Sequence, residues 1–159
     1  MENILRYFPD LTPLQRDRFA ALEHLYVEWN SKINVISRKD IGSFMTHHVL
    51  HSMAIGKAMS FAPDESLLDL GTGGGFPGIP LAILFPETKF TLCDSIGKKI
   101  RVAESVSQSL GLENVICLNS RAENIGEGFD YVVSRAVAPL RELYPWVKDS
   151  YRKAIISLK

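Results

Sequence analysis

The sequence predicts an α/β fold: a mostly parallel sheet with helices on both faces, preceded by an N-terminal helical extension. Three observations predict it. From Ser66 onward, short apolar runs alternate with polar, helix-like stretches, the texture of parallel strands joined by helical crossovers. The first of these runs opens into a glycine-rich turn and then a helix whose start is marked by proline. The first sixty residues carry helical rather than alternating periodicity. With 159 residues, 46% hydrophobic and 23% charged, the chain is one domain's worth of ordinary globular composition, which excludes a disordered or fibrous protein. The expected organisation is a helical extension over 1–62 and an α/β core over 63–159, packed as one domain.

In the extension, Thr12-Pro13-Leu14-Gln15 supplies a hydroxyl N-cap, a proline at the first helical position and a glutamine at the third. Phe19, Leu22, Leu25, Tyr26, Trp29 and Ile33 follow at helical spacing, so a helix is expected from Thr12 to Ser31, with its aromatics in the core. A second helix is expected from Asp40, carrying Ile41, Phe44, Met45, Val49 and Met53 on one side and fading toward Gly56 or Ala62-Pro63. These helices would form a lid or flank. In the core, Leu67–Leu70, Lys89–Cys93, Val115–Leu118, Tyr131–Val133 and Ala154–Leu158 read as strands. The helical stretches between them are Gly78–Leu84, Lys98–Leu110, a short piece around Arg121–Ile125, and Pro139–Tyr151. The expected strand order is 3-2-1-4-5.

Composition also narrows location and partners. No apolar stretch approaches the roughly 18–20 residues of a membrane-spanning helix, and the N-terminus MENILRYFPD lacks a basic leader and a cleavage site. A cytoplasmic location is the default expectation, with no membrane partner. Cys93 and Cys117 each sit in a β-like apolar run, where a reduced, buried thiol is expected. The 18 basic side chains balance 18 acidic ones, so a nucleic-acid partner must be argued from a local cluster.

The segment from Leu67 to Pro80, LLDLGTGGGFPGIP, carries the most chemistry. A strand running into bare glycine backbone at a helix start lets a nucleoside cofactor press against free N–H groups. Read from Asp69 through Gly71, Gly73 and Gly75, the pattern suits S-adenosylmethionine; read from Gly73 to Gly78 it suits a dinucleotide. The glycines alone leave both open. The first register begins directly at the strand end, whereas the second places Pro77 inside the phosphate turn, which favours the sulfonium cofactor. Asp94, 23 positions after Gly71, stands where an acid reaches ribose hydroxyls in either case, and Glu123 stands where an adenine edge would lie. Both acids also read as ordinary helix-capping residues.

The strings LLDLGTGGGFPGIPLA, LCDSIGKK, SRAEN and FDYVVSRAVAPL, in that order, resemble the glucose-inhibited division protein B family, bacterial 16S ribosomal RNA guanine-N7 methyltransferases. The resemblance covers essentially the whole chain. It implies a Rossmann-like S-adenosylmethionine-dependent fold in which Gly71 and Phe76 contact the cofactor, Asp94 and Ser95 lie at the ribose, Ala122 and Glu123 frame the adenine, and Arg135 reaches the reaction side. The implied substrate is a guanine of 16S rRNA in the 30S subunit or an assembly intermediate. The family usually has an aspartate where His51 stands. It also continues beyond the position of Lys159 with further strands, so an incomplete sheet with Ala154–Leu158 as a bare edge is expected.

The residues can be held against that chemistry. Guanine N7 offers a lone pair and no proton, so methyl transfer needs alignment and no general base, and no catalytic acid or base is expected. Enzymes that methylate exocyclic amines typically carry an Asn or Asp followed by two prolines after the fourth strand; here Ser134-Arg135-Ala136 occupies that place. Because N7 faces the deep groove of A-form RNA, the base must come from a loop, bulge or distorted helix. Arg135 has a second reading as the partner of Asp69 or Asp94 in a structural ion pair. Arg38, Lys39, Lys98, Lys99 and Arg101, with Lys32, His47 and His48, form a candidate RNA-binding rim, or simply a solvated face. His47 and His51 are spaced as zinc ligands can be, but lack companions, and no metal site is expected. Two further readings stay open: a cofactor-binding but inactive fragment, and a nicotinamide-dependent oxidoreductase.

Overall fold

The computed structural model describes residues 1–159. The elements, in chain order, are α1 (Glu2–Tyr7), α2 (Pro13–Asn30), a 3-10 turn (Ile41–Ser43), a π-helix (Met45–Leu50), α3 (His51–Met53), α4 (Ile55–Ala58), β1 (Ser66–Leu70), α5 (Gly78–Leu84), β2 (Lys89–Asp94), α6 (Gly97–Ser109), β3 (Val115–Asn119), a 3-10 turn (Ala122–Asn124), β4 (Phe129–Arg135), α7 (Leu140–Val147) and β5 (Tyr151–Leu158). The sheet order is β3-β2-β1-β4-β5, parallel throughout. The chain winds outward from β1 to β3, then returns to β4 on the other side of β1. That reversal opens a crevice at the carboxyl ends of β1, β2 and β4, where α/β sheets bind ligands.

Period-two alternation divides the strands between two apolar layers. Leu67, Phe90, Leu92, Tyr131 and Val133 face one side and pack with Ile79–Ile83 of α5, Ile100, Val102, Ala103 and Val106 of α6, and Phe19, Leu22 and Tyr26 of α2. Leu68, Leu70, Cys93 and Val132 face the other side, against Leu143 and Val147 of α7. The second layer is thin at the β3 edge, where the expected short piece around Arg121–Ile125 is the turn Ala122–Asn124. That turn covers little of β3 on this face, and Ile116 and Leu118 are 63% and 41% exposed, while Val115 and Cys117 pack into the first layer beside α6. β5 is the outer strand at the opposite edge, with Ile155, Ile156 and Leu158 half-buried.

The extension and the sheet share one apolar cluster running from Ile4 and Leu11 to Val133. Polar side chains of α2 add to the joint. Thr12 and Gln15 form the expected reciprocal cap, and Gln15 Nε2 also donates to the carbonyls of Ile83 and Leu84, which end α5. Arg18 donates to the carbonyls of Leu110 and Gly111 at the end of α6. Carbonyls at the ends of α5 and α6, which lack partners within their own helices, thus find donors on α2, with Asn114 Nδ2 adding bonds to the carbonyls of Ala82 and Phe85.

The expected regular helix from Asp40 is broken. Phe44, Val49 and Met53 are all buried, and a spacing of five followed by four cannot share one face of a uniform α-helix. The wider π-turn over Met45–Leu50 brings them together. Helix α1 gave no periodic signal because only Ile4 among its six residues is buried.

Candidate functional site

The glycine turn is held from several directions by its neighbours. Gly71 and Gly73 take positive φ, +70° and +59°, a region open to residues without Cβ. The amides of Gly71 and Thr72 donate to the Cys93 carbonyl, each at 2.9 Å. Gly73 N–H donates to Asp94 Oδ2 at 2.8 Å, while Asp94 Oδ1 accepts from Ile96 N–H at 2.8 Å. From α2, the buried Tyr26 hydroxyl donates to the Gly74 carbonyl at 2.6 Å. Below the turn, Asp69 Oδ2 accepts from Thr72 Oγ1 at 2.6 Å and from Gly78 N–H at 2.7 Å. Asp69 Oδ1 is enclosed without a partner. Burial pushes this carboxyl up to about 7, against the opposing pull of Thr72, Gly78 and the Arg135 charge.

Above the turn lies a crevice of about 590 Å3, within the usual range for small-molecule sites. Its lining includes Gly71, Gly73 and Phe76 from the turn, Asp94 at the end of β2 and Ser95 after it, Ala122 and Glu123 after β3, and Arg135 at the end of β4. A Cβ at Gly73 would meet nothing within 4 Å, so that backbone is bare toward open space. Gly75 is the one expected cofactor glycine outside the lining. A Cβ there would lie 2.5 Å from Ile79 Cδ1 and 2.9 Å from the Tyr26 hydroxyl. Gly75 makes room for packing beneath the turn, and the crevice side falls to Gly74 instead.

Arg135 pairs with neither Asp69 nor Asp94. Its Nη2 donates to His48 Nδ1 at 3.0 Å, and the guanidinium lies 5.2 Å from the Phe76 ring centre. Phe76 belongs to an aromatic group with Tyr26, Phe44 and His48. Among the expected basic residues, Lys99 lines the crevice, while Lys98, Arg101, Arg38 and Lys39 are exposed outside it. Lys32 is engaged by Glu28 and the Trp29 ring, His47 by Asp40, and His48 turns inward. The rim is therefore thinner than the sequence suggested. No group of three or more His, Cys, Asp or Glu side chains gathers as metal ligands, His47 and His51 included. Cys93 and Cys117 are free thiols on opposite faces of adjacent strands; burial raises them to about 11 and about 12.

The sequence reading missed several contributors. Trp146 of α7 and Val137 reach the crevice, as does Val35. Val35 is fixed by Asn30, whose Oδ1 accepts from the amides of both Val35 and Ile36 at 2.9 Å. Tyr26 was assigned to the core, and it is buried; its hydroxyl was the overlooked signal, since a buried tyrosine oxygen usually has a partner.

The family model described as rRNA small subunit methyltransferase G matches residues 15–159. A ribosomal RNA small subunit methyltransferase G of Bacteroides thetaiotaomicron is 62% identical over 150 residues, covering 94% of this chain and 73% of that protein. The protein of the same name from Flavobacterium johnsoniae is 55% identical over 153 residues, covering 96% and 73%. Solved structures similar in fold include a SAM-dependent methyltransferase from Geobacter sulfurreducens in complex with S-adenosyl-L-homocysteine, with a TM-score of 0.56 at 15% identity, covering 81% of this chain and 51% of that one. A putative S-adenosyl-L-methionine-dependent methyltransferase from Methanococcus maripaludis gives 0.58 at 15% identity, covering 75% and 61%. No helix is long and apolar enough to cross a membrane.

Proposed function

Given that this chain belongs to the rRNA small subunit methyltransferase G family, we propose that it transfers the methyl group of S-adenosylmethionine to N7 of a guanine in 16S rRNA. The observation that carries the reading is the crevice, where bare glycine backbone and acids after β2 and β3 converge on one side and Arg135 stands at the other. Membership of this family displaces the dinucleotide reading of the same glycines.

The residues present fit the cofactor. The amide-rich turn at Gly71–Gly74 suits its amino-acid end, Asp94 and Ser95 suit its ribose, and Ala122 and Glu123 suit its adenine. When bound, the cofactor supplies a sulfonium methyl open to nucleophilic attack. The chain's task is alignment: the bonds from Asp94 and Tyr26 keep the turn from shifting beneath the ligand. N7 has no proton to remove, and the strand end Ser134-Arg135-Ala136 lacks the acceptors that an amine substrate would call for. The extension over 1–62 acts in this reading as a flank of the same domain rather than a separate module. Lys99 at the crevice, with Lys98, Arg101, Arg38 and Lys39 outside it, is the proposed RNA contact. The proposed setting is the cytoplasm and the proposed substrate the 30S subunit or an assembly intermediate.

Incubation of the protein with labelled S-adenosylmethionine and 30S subunits from cells lacking the modification tests the proposal. Label in 16S rRNA at a guanine whose glycosidic bond becomes labile to borohydride and aniline is the expected result. Label on an exocyclic amine would overturn the N7 assignment, and no transfer would favour a cofactor-binding but inactive protein.

A further inference from the structure

We propose that His48 is a positioning residue for Arg135, holding the guanidinium across Phe76 and turned toward the reacting side of the crevice by accepting its Nη2–H at Nδ1. The inference rests on the methyl-transfer reading above. Arginine has donors only, so His48 Nδ1 must be the acceptor and the ring proton must sit on Nε2. That Nε2 is enclosed without a partner. An unpaired buried donor is costly, so histidine at this position serves its other nitrogen.

The choice of partner matters for charge. Arg135 is half-buried and makes no ion pair within the chain. A carboxylate would orient it and also neutralise it; a neutral imidazole orients it and leaves its positive charge and remaining N–H groups available to an oxygen of the incoming nucleotide. Phe44 and His48, four residues apart, share one inner face, their rings stacked at 6.0 Å and 20°. Burial and the Arg135 charge both lower the proton affinity of His48. The other groups around it are Asp40, His47 and His51 on its own segment, with the rings of Phe44 and Phe76; Asp40 alone favours protonation. Protonating His48 would remove the acceptor and set two cations side by side.

The test compares wild type, His48→Phe and His48→Asn, each also in an Arg135→Ala background. The readouts are single-turnover methyl transfer to 30S subunits at pH 5–8, S-adenosylhomocysteine affinity and thermal midpoint. His48→Phe keeps the aromatic packing and should slow transfer about 10- to 100-fold, the loss of one hydrogen bond to a charged group, with cofactor affinity within about threefold. Wild type should lose rate on the acid side as His48 takes up a proton; His48→Asn, whose Oδ1 can replace Nδ1 as acceptor, should recover most of the rate and show no such decline. In the Arg135→Ala background, His48→Phe should cost nothing further. Wild-type rates in His48→Phe, no recovery in His48→Asn, or losses that add to those of Arg135→Ala would each overturn the inference. An inactive wild type would overturn the methyl-transfer reading instead. The histidine 15N shifts then judge the contact separately: Nδ1 as a hydrogen-bonded acceptor, altered by Arg135→Ala, supports it, and protonated Nδ1 refutes it.

Discussion

Replacing Tyr26 with phenylalanine tests whether the cofactor turn is held in place from the N-terminal extension. The substitution removes one oxygen and leaves the ring, whose packing against Phe76 at 4.9 Å and Phe44 at 5.2 Å is undisturbed. What disappears is the 2.6 Å bond to the Gly74 carbonyl, between groups that are both buried. Burial raises the Tyr26 hydroxyl well above its ordinary range, so it remains a donor at every working pH. The buried carbonyl loses its donor, which costs about 1–3 kcal/mol. In a chain of this size each kcal/mol moves the thermal midpoint by about 2–4 °C. Urea unfolding should show a lower midpoint at unchanged slope, the mark of lost stability without altered compactness. Titration with S-adenosylhomocysteine should show affinity reduced by up to about tenfold, because ligand binding must then order the turn. A Tyr26→Phe protein with wild-type stability and wild-type affinity would refute the claim that α2 anchors the turn.

Three other changes are readily checked. Gly71→Val should abolish S-adenosylhomocysteine binding, since its Cβ would sit 2.3 Å from Val137 Cγ2 at a φ of +70°; unchanged affinity by calorimetry would contradict the placement. Lys98→Ala with Lys99→Ala should weaken association with 30S subunits and reduce the salt slope by about 1–2. Lys98→Ala alone should leave cofactor affinity unchanged, because Lys98 lies outside the crevice. Asp69 has a folded-state pKa raised from 3.8 to about 7, so its contribution to stability is complete below about pH 4 and lost as pH rises through 7. From pH 5 to 7, Asp69→Asn should therefore show a stability profile flatter than wild type by roughly 2–3 kcal/mol; parallel profiles in chemical denaturation would show that Asp69 is ionised throughout.

Much of the fold was legible because its signals are local. Each strand is an apolar run bounded by turn residues, and the Thr12–Gln15 cap and the helix at Gly78–Leu84 are written in consecutive positions. The glycine turn announced itself because backbone at positive φ favours residues without Cβ. Which way each glycine faces was not legible, since a missing side chain has no polarity to read. Gly73 opens to the crevice and Gly75 to Tyr26 and Ile79, a difference set by what packs around them.

By itself, then, the sequence determined the order of strands and helices, the position of the turn and the residue types around it, all of which follow from short-range periodicity and backbone sterics. Tertiary structure alone decided that Tyr26 reaches Gly74 across 48 positions and that His48 meets Arg135 across 87. It also left Ile116 and Leu118 exposed on one face of β3 beside the short turn Ala122–Asn124. Such pairings depend on how rigid elements pack in three dimensions, and hydrogen-bond direction between distant groups leaves no trace in the spacing of neighbours along the chain.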